Sequence, residues 1–262
     1  MAINRFDEVT LLITHYNRSR SLERLLLAFR RLAFQFGAVV VSDDGSRPEH
    51  LERLHELQQE FDFNLVTTPH NRGLGNNINK GQDAVTTPYT LYVQEDFEPS
   101  DICSVHFRDA LQFMKEDESL DIIRFYAYFR YPVMKAYGKG FSQMMYRWWS
   151  ADHLKVYMYS DHPHLRRSSF LEKFGRYPEG VRPDKTEYTM AVRFIQRGGK
   201  GLCYDKFTTL FYQKNEGTEA STIGRMAWRQ RKDPFTLLLR WLYLKFRWVK
   251  TTLDVGFKKK HQ

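Results

Sequence analysis

Two cysteines in 262 residues, Cys103 and Cys203, are too few and too far apart for a disulfide framework or a thiolate metal site. Both are expected as reduced thiols in a cytoplasmic protein. No apolar run reaches the roughly 18 residues that a spanning helix needs. Residues 1–8 are polar and lack the apolar core of a signal peptide. There is no internal repeat and no low-complexity linker. Two nucleotide-binding devices are missing as well. No GxxxxGK(S/T) phosphate loop occurs, and residues 14–18, which follow the first apolar stretch, hold no glycine. A dinucleotide-binding fold needs glycine at that turn so that backbone can approach a pyrophosphate. Gly73-Leu74-Gly75 comes later, with Ile78 where a third glycine would stand. Phosphates are therefore expected to be met by a metal and side chains rather than by a glycine cradle.

What is present is an alternation of strands and helices. Residues 8–13 (EVTLLI) read as a strand buried on both faces. Leu22, Leu25, Leu26, Phe29, Leu32, Ala33 and Phe36 form an i, i+3, i+4, i+7 stripe, which predicts a helix ended by Gly37. Residues 38–41 form a second strand. Pro48 opens a helix with Leu51, Leu54, Leu57 and Phe61 inward. A short strand at 64–67, a helix at 76–85 and a strand at 89–94 follow. This order argues for a parallel sheet covered by helices. Beyond it, Ser100 caps a helix reaching residue 115, 122–128 reads as a strand, and the aromatic-rich 131–160 resists assignment. A short helix at 168–174, a longer one at 185–197, and strands at 200–204 and 208–212 complete the body.

Three loops, at residues 14–18, 42–46 and 94–98, follow parallel strands and should emerge on one edge of the sheet. Ligands bind beyond the carboxyl ends of strands in such folds. That brings Asp43, Asp44, Glu95 and Asp96 toward one crevice. Asp43 or Asp44 suits a hydrogen bond from a base, Tyr16 suits its face, and Arg18 or Arg72 suits phosphate. Asp43-Asp44-Gly45-Ser46 is also simply a good turn. Glu95 and Asp96 end a buried strand, where one or two carboxylates can hold Mg²⁺ together with substrate phosphates.

These motifs resemble the GT-A-fold glycosyltransferases of the large inverting family 2. The resemblance runs through Val9 to Arg18, Val39 to Ser46, Asn71-Arg72-Gly73-Leu74-Gly75 with Asn79 and Gly81, and Tyr92-Val93-Gln94-Glu95-Asp96. A weaker match continues through 165–175 and 187–199. It implies a GT-A α/β fold with a mostly parallel sheet and helices on both faces, to which this chain adds a C-terminal amphipathic helical extension. It implies that Thr14, Tyr16 and Arg18 line the nucleotide pocket, and that Asp43 or Asp44 recognises the base. Arg72, Gly73 and Asn79 would approach the nucleotide-sugar. Asp96, with Glu95 beside it, would hold Mn²⁺ or Mg²⁺, although Gln94 stands where the family's metal motif carries its first Asp. Glu187 matches the position of the family's general base, and Asp184 is the alternative. Tyr212-Gln213 falls where many members carry a metal-binding His. His153, His162 and His164 are either acceptor contacts or surface histidines. The implied activity is transfer from a nucleotide-diphospho-sugar to a glycan or lipid-linked acceptor in bacterial surface polysaccharide or lipopolysaccharide synthesis. A sugar-phosphate nucleotidyltransferase would want a glycine-rich basic loop at 14–18. A non-catalytic binding module would rest on the tail alone.

The tail carries the charge. Of 40 Lys and Arg and 31 Asp and Glu, residues 224–262 hold 11 and 2, leaving 29 of each in the rest and the whole formal +9 in the tail. The division is thus 1–223 as the catalytic domain (1–100 nucleotide half, 101–223 acceptor half) and 224–262 as a basic extension. Leu, Trp, Phe and Tyr alternate there with Arg240, Lys245, Arg247 and Lys250, flanked by Arg225, Arg229, Arg231, Lys232 and residues 258–260. This suits a helix in the headgroups of an anionic membrane, reached through 225–260. The expected location is the inner face of the cell membrane. A second subunit, as in a homodimer, is the alternative contact, and nucleic acid is not expected.

Overall fold

The computed structural model describes residues 3–214 and 234–257. At its centre lies β1 (Asn4–His15), flanked in parallel by β2 (Phe34–Asp43) and β4 (Tyr89–Gln94). β3 (Asn64–Val66) extends this half in parallel on β2. On the other side the order is β4-β9-β6-β10-β8-β7, giving nine strands in all. β9 (His164–Arg167) runs antiparallel between β4 and β6 (Ile122–Arg124). β10 (Gly201–Tyr204) returns parallel to β6, and the hairpin β7 (Met134–Gly138) and β8 (Phe141–Met144) closes the edge. A separate two-stranded ribbon pairs β5 (Phe97–Pro99) with β11 (Phe211–Gln213).

The strands alternate their side chains between two cores, as a pleat requires. Val9, Leu11, Ile13, Leu91 and Val93 pack with α1 (Ser19–Arg31), α2 (Pro48–Phe61) and α4 (Cys103–Glu116). Leu12, Val40 and Tyr92 pack with α3 (Leu74–Asp83), α5 (Phe170–Phe174) and α6 (Pro183–Gln196). Helices therefore cover both faces, as expected, and both cysteines are buried free thiols.

The first helix is shorter than its apolar stripe predicts. It ends at Arg31, Ala33 turns the chain with φ 53°, and Phe34 and Phe36 belong to β2. The helical repeat and the strand repeat coincide over these positions, so periodicity could not separate them. Phe6, Phe29, Phe34, Phe36 and Phe107 form one ring cluster there, with centroids 4.7–6.3 Å apart. Gly37 is not a helix stop. It sits in β2 beside a register shift in β1, where a Cβ would stand 1.9 Å from the Asp7 carbonyl oxygen. The strand expected at 122–128 narrows to β6, because Phe125 and Ala127 bond instead to the Pro163 and Phe207 carbonyls. The segment 131–160 supplies β7, β8 and a 3₁₀ turn, His153–Val156.

The tail helix, α7 (Pro234–Phe257), docks its second half on the body. Tyr188 donates to Asp254 at 2.6 Å, and Gln196 donates to the Asp254 and Val255 carbonyls. The expected boundary at 223/224 lies outside the described residues, as do Arg225, Arg229, Arg231, Lys232 and residues 258–260.

Candidate active site

The register aligns Thr14 with Ser42 and with Gln94, and His15 with Asp43, so the three loops leave the sheet together. The loops are then sewn to each other. Asp44 N–H bonds the His15 carbonyl, and Glu95 N–H bonds the Thr14 carbonyl. Asn17 N–H donates to Ser46 Oγ at 2.8 Å, and Arg47 N–H donates to Asn17 Oδ1 at 2.8 Å. Thr14 Oγ1 meets the Tyr92 hydroxyl at 3.0 Å. Tyr16 stands at the crevice, half-buried.

His15 had no sequence signal, yet it organises this edge. Its Nε2 accepts Arg18 N–H at 3.1 Å, so Nδ1 carries the proton donated to Asp43 Oδ1 at 2.8 Å. Asp43 is fully buried and also takes Ser46 N–H, Ser46 Oγ and Thr67 Oγ1. Burial alone would raise its carboxyl, but the bonds from His15 and Ser46 outweigh that and bring it to about 2. Asp44 accepts the Arg72 and Gly73 N–H groups at 2.8 and 2.9 Å. Burial holds its carboxyl above the usual range against those bonds. In this structure the two acids hold the loops in place. Gly45, which follows them, has φ 66°, and a Cβ would lie 2.4 Å from the His70 backbone. Lys80, another residue that sequence reasoning missed, donates to the Asp43 carbonyl and to Asn77 Oδ1, and burial pushes its ammonium down.

Arg72 is half-exposed and pairs with Glu179 at 3.3 Å. Asn79, expected near the nucleotide-sugar, is buried and engaged elsewhere. Its amide bonds the Tyr177 backbone at both N–H and carbonyl, and also Glu179. It fastens the 177–179 loop to α3.

Asp96 is buried at the end of β4. Its Oδ2 accepts Arg18 Nη1 at 3.3 Å and Gln213 Nε2 at 3.0 Å, and Oδ1 is buried without a hydrogen-bond partner. Glu95 lies beside it, 3.9 Å from the same Arg18 nitrogen. An orphaned carboxylate oxygen is costly unless something absent from the protein meets it. It fits a hard divalent cation held by one or two carboxylates, the remaining ligands coming from phosphate and water. Among the described residues no three His, Cys, Asp or Glu side chains cluster as a metal site. Gln213 occupies the position where a third protein ligand was sought, and it bonds Asp96 directly.

Glu187 projects from α6. Its Oε1 accepts Ser160 Oγ at 2.7 Å and, more weakly, Asp161 N–H at 3.4 Å. Tyr128 lies between Gln213, to which its hydroxyl donates at 2.6 Å, and the His162 ring, 4.5 Å away, and burial raises its phenol. Asp184 does not join this group; it is exposed at the start of α6, paired with Arg182 at 3.1 Å. The histidines are not surface groups. His162 packs on Phe97, Tyr126 and Tyr128 and reaches Ser160 at 2.6 Å, and burial pushes it down to about 3. His164 is fully buried, and His153 is half-buried.

Behind Glu187 runs a hydrogen-bonded chain. Arg166 donates to the Tyr177 hydroxyl, the Tyr177 and Tyr159 hydroxyls bond each other, and Tyr159 bonds Asp161, each at 2.5 Å. The Arg166 guanidinium is enclosed by the Tyr92, Phe170 and Tyr177 rings. Burial, and then the charge of Glu187, hold the Asp161 carboxyl up at about 8. In the unfolded chain this group ionises in the ordinary carboxylate range, so folding retains a proton that unfolding releases. Stability therefore falls as pH rises through that window, at up to about 1.4 kcal/mol per unit. Asp161→Asn keeps an acceptor for Tyr159 and removes the loss. Thermal denaturation should show a higher Tm than wild type near neutral pH, and a flatter dependence below it.

The sequence and the fold, taken together, match known proteins. The sequence model of Glycosyl transferase family 2 matches residues 10–175. The chain belongs to that family. Curated relatives are poly-beta-1,6-N-acetyl-D-glucosamine synthases. That of Staphylococcus aureus is 24% identical over 94 residues, 36% of this chain and 23% of the relative. That of Staphylococcus epidermidis is 26% identical over 90 residues, 34% and 22%. The chain thus spans less than a quarter of those relatives. Among solved structures, S. aureus TarS 1-349 in complex with UDP-GlcNAc superposes with a TM-score of 0.61 at 15% identity, over 95% of this chain and 70% of that one. The mannosyltransferase PcManGT from Pyrobaculum calidifontis, in complex with GDP-Man and Mn²⁺, gives 0.53 at 15% identity, over 95% and 73%. The expected class, a glycosyltransferase of the GT-A fold, is borne out by the family match and this shared fold.

Proposed function

We propose that the chain is a metal-dependent inverting glycosyltransferase that uses a nucleotide-diphospho-sugar. The observation that carries this reading is the buried, unpartnered Asp96 Oδ1 at the strand edge. Thr14 and Tyr16 line the base and ribose side, with Asp43 and Asp44 shaping the wall. Arg18, Arg72 and Gly73 approach the diphosphate. Asp96, assisted by Glu95, holds Mn²⁺ or Mg²⁺, which when bound supplies Lewis-acid stabilisation to the departing diphosphate. Glu187 takes the acceptor hydroxyl proton as that oxygen bonds the anomeric carbon and the bond to the diphosphate breaks with its electron pair. Ser160 fixes the Oε1 of this base, and inversion follows from attack opposite the leaving group.

The acceptor is a glycan or lipid-linked intermediate of a surface polysaccharide, and the enzyme works peripherally on the inner face of the cell membrane. The names of the curated relatives support the polysaccharide, and the basic tail supports the location. A thermal-shift panel of nucleotide-sugars with and without Mn²⁺ tests the donor claim. Ligands that bind only the folded form raise its apparent stability by mass action. One nucleotide-sugar should raise Tm, and more so with Mn²⁺; no shift with any of them would overturn the reading.

A further inference from the structure

One face of α7 has a regular pattern. Leu239, Leu242, Phe246, Val249 and Leu253 follow one another at spacings of three, four, three and four, and each is 46–63% exposed; Trp241, Tyr243 and Leu244 add further exposed apolar surface on the first half of the helix. At 3.6 residues per turn they form a single stripe. The docked residues lie about half a turn away. Arg247 donates to the Tyr157 hydroxyl at 2.9 Å, Trp248 to the Ser150 carbonyl at 2.8 Å, and Thr251 is buried. A second apolar element stands beside the helix. Trp148 and Trp149 are 66% and 58% exposed, their rings 5.8 Å apart. Their loop is held from behind by buried Lys155, which donates to the Trp148 and Ser150 carbonyls at 2.5 and 2.9 Å.

We infer that the α7 stripe and the Trp148–Trp149 loop form one face that inserts into the headgroup layer of an anionic bilayer. The inference rests on the peripheral-membrane reading above and names its contact surface. Charge decides the occupant. Lys245 and Lys250 flank the stripe, and the only acid within α7, Asp254, is held by Tyr188 and Lys250 on the docked side. A stripe with this spacing also suits a two-helix seam, but a second copy would set lysine against lysine along it. Lysines flanking an apolar stripe, and exposed tryptophans, suit lipid phosphates and the membrane interface. No helix among the described residues is long and apolar enough to cross a membrane. The helix that carries this face packs by its opposite side next to the proposed base, where Tyr188, adjacent to Glu187 on α6, donates to Asp254. A lipid-linked acceptor would therefore be presented on the Glu187 side.

Co-sedimentation of the full chain with phosphatidylcholine vesicles, with and without phosphatidylglycerol, tests this. Wild type should pellet with the anionic vesicles only. The double variant Phe246→Glu, Val249→Glu should weaken binding at least about tenfold, and Trp148→Ala with Trp149→Ala by less. All four side chains are exposed, so folding should be preserved, as checked by an unchanged Tm. The inference is overturned if the charged variant pellets like wild type, or if wild type fails to pellet with anionic vesicles. It is also overturned if sedimentation equilibrium shows a dimer that Phe246→Glu dissolves. Donor-induced thermal shifts are read without vesicles, so failure here leaves the transferase reading standing, and failure there leaves this one.

Discussion

Asp96→Ala is expected to lower kcat of sugar transfer by about three orders of magnitude or more, with little loss of fold. The side chain has two separable tasks. Oδ2 accepts Arg18 and Gln213, which join the first loop and β11 to the end of β4. Oδ1 has no protein partner. Truncation removes both, and Arg18 then leans on Glu95 alone. Asp96→Asn separates the two tasks. It keeps an oxygen that can accept Arg18, but it loses the charge that holds a cation. Activity should be lost in both variants, while the asparagine variant keeps the wild-type Tm more closely. Wild-type-like turnover of Asp96→Ala, measured with the donor selected in the thermal-shift panel, would remove this residue from the metal site.

Glu187→Gln is the second large effect. General-base catalysis contributes about 10²–10⁴-fold, and that is the loss expected in kcat. The amide oxygen still accepts Ser160 Oγ, so the helix and its neighbours should be undisturbed. Donor binding should be unchanged, because the hydrogen bonds of Glu187 go to Ser160 and Asp161 and not to the three strand-end loops proposed to line the donor side. Ser160→Ala should give a smaller loss in kcat with little change in donor KM, since it frees Oε1 without removing the base. A glutamine variant that loses donor affinity and keeps kcat would place Glu187 in donor binding instead.

How far these residues were legible in the sequence differs from one to the next. β4 was read at both ends, because its apolar run is buried on both faces and stops at Gln94 before the acids. The common edge of residues 14–18, 42–46 and 94–98 followed from the order of strands and helices, and the register confirms it. The antiparallel β9 was not legible. Its sequence, His-Leu-Arg-Arg, has no apolar pattern, and its charge is tolerated only because aromatic rings from distant segments enclose Arg166. Long-range pairing of that kind leaves no local signal. His15 was invisible for a similar reason. Only the fold shows that Asp43 and the Arg18 backbone take up its two nitrogens. Asn79 shows the converse. A motif position that resemblance assigned to the nucleotide-sugar is occupied in this structure by the 177–179 loop.

The central claim is that the end of β4 binds a diphosphate through a metal. Calorimetric titration of the matching nucleoside diphosphate, with and without Mn²⁺, tests it in wild type and in Asp96→Ala. The account predicts that Mn²⁺ tightens binding to wild type by at least about tenfold, and that Asp96→Ala binds the nucleotide equally with and without the metal. Enhancement by Mn²⁺ that survives in Asp96→Ala, or binding to wild type that ignores Mn²⁺, would contradict it.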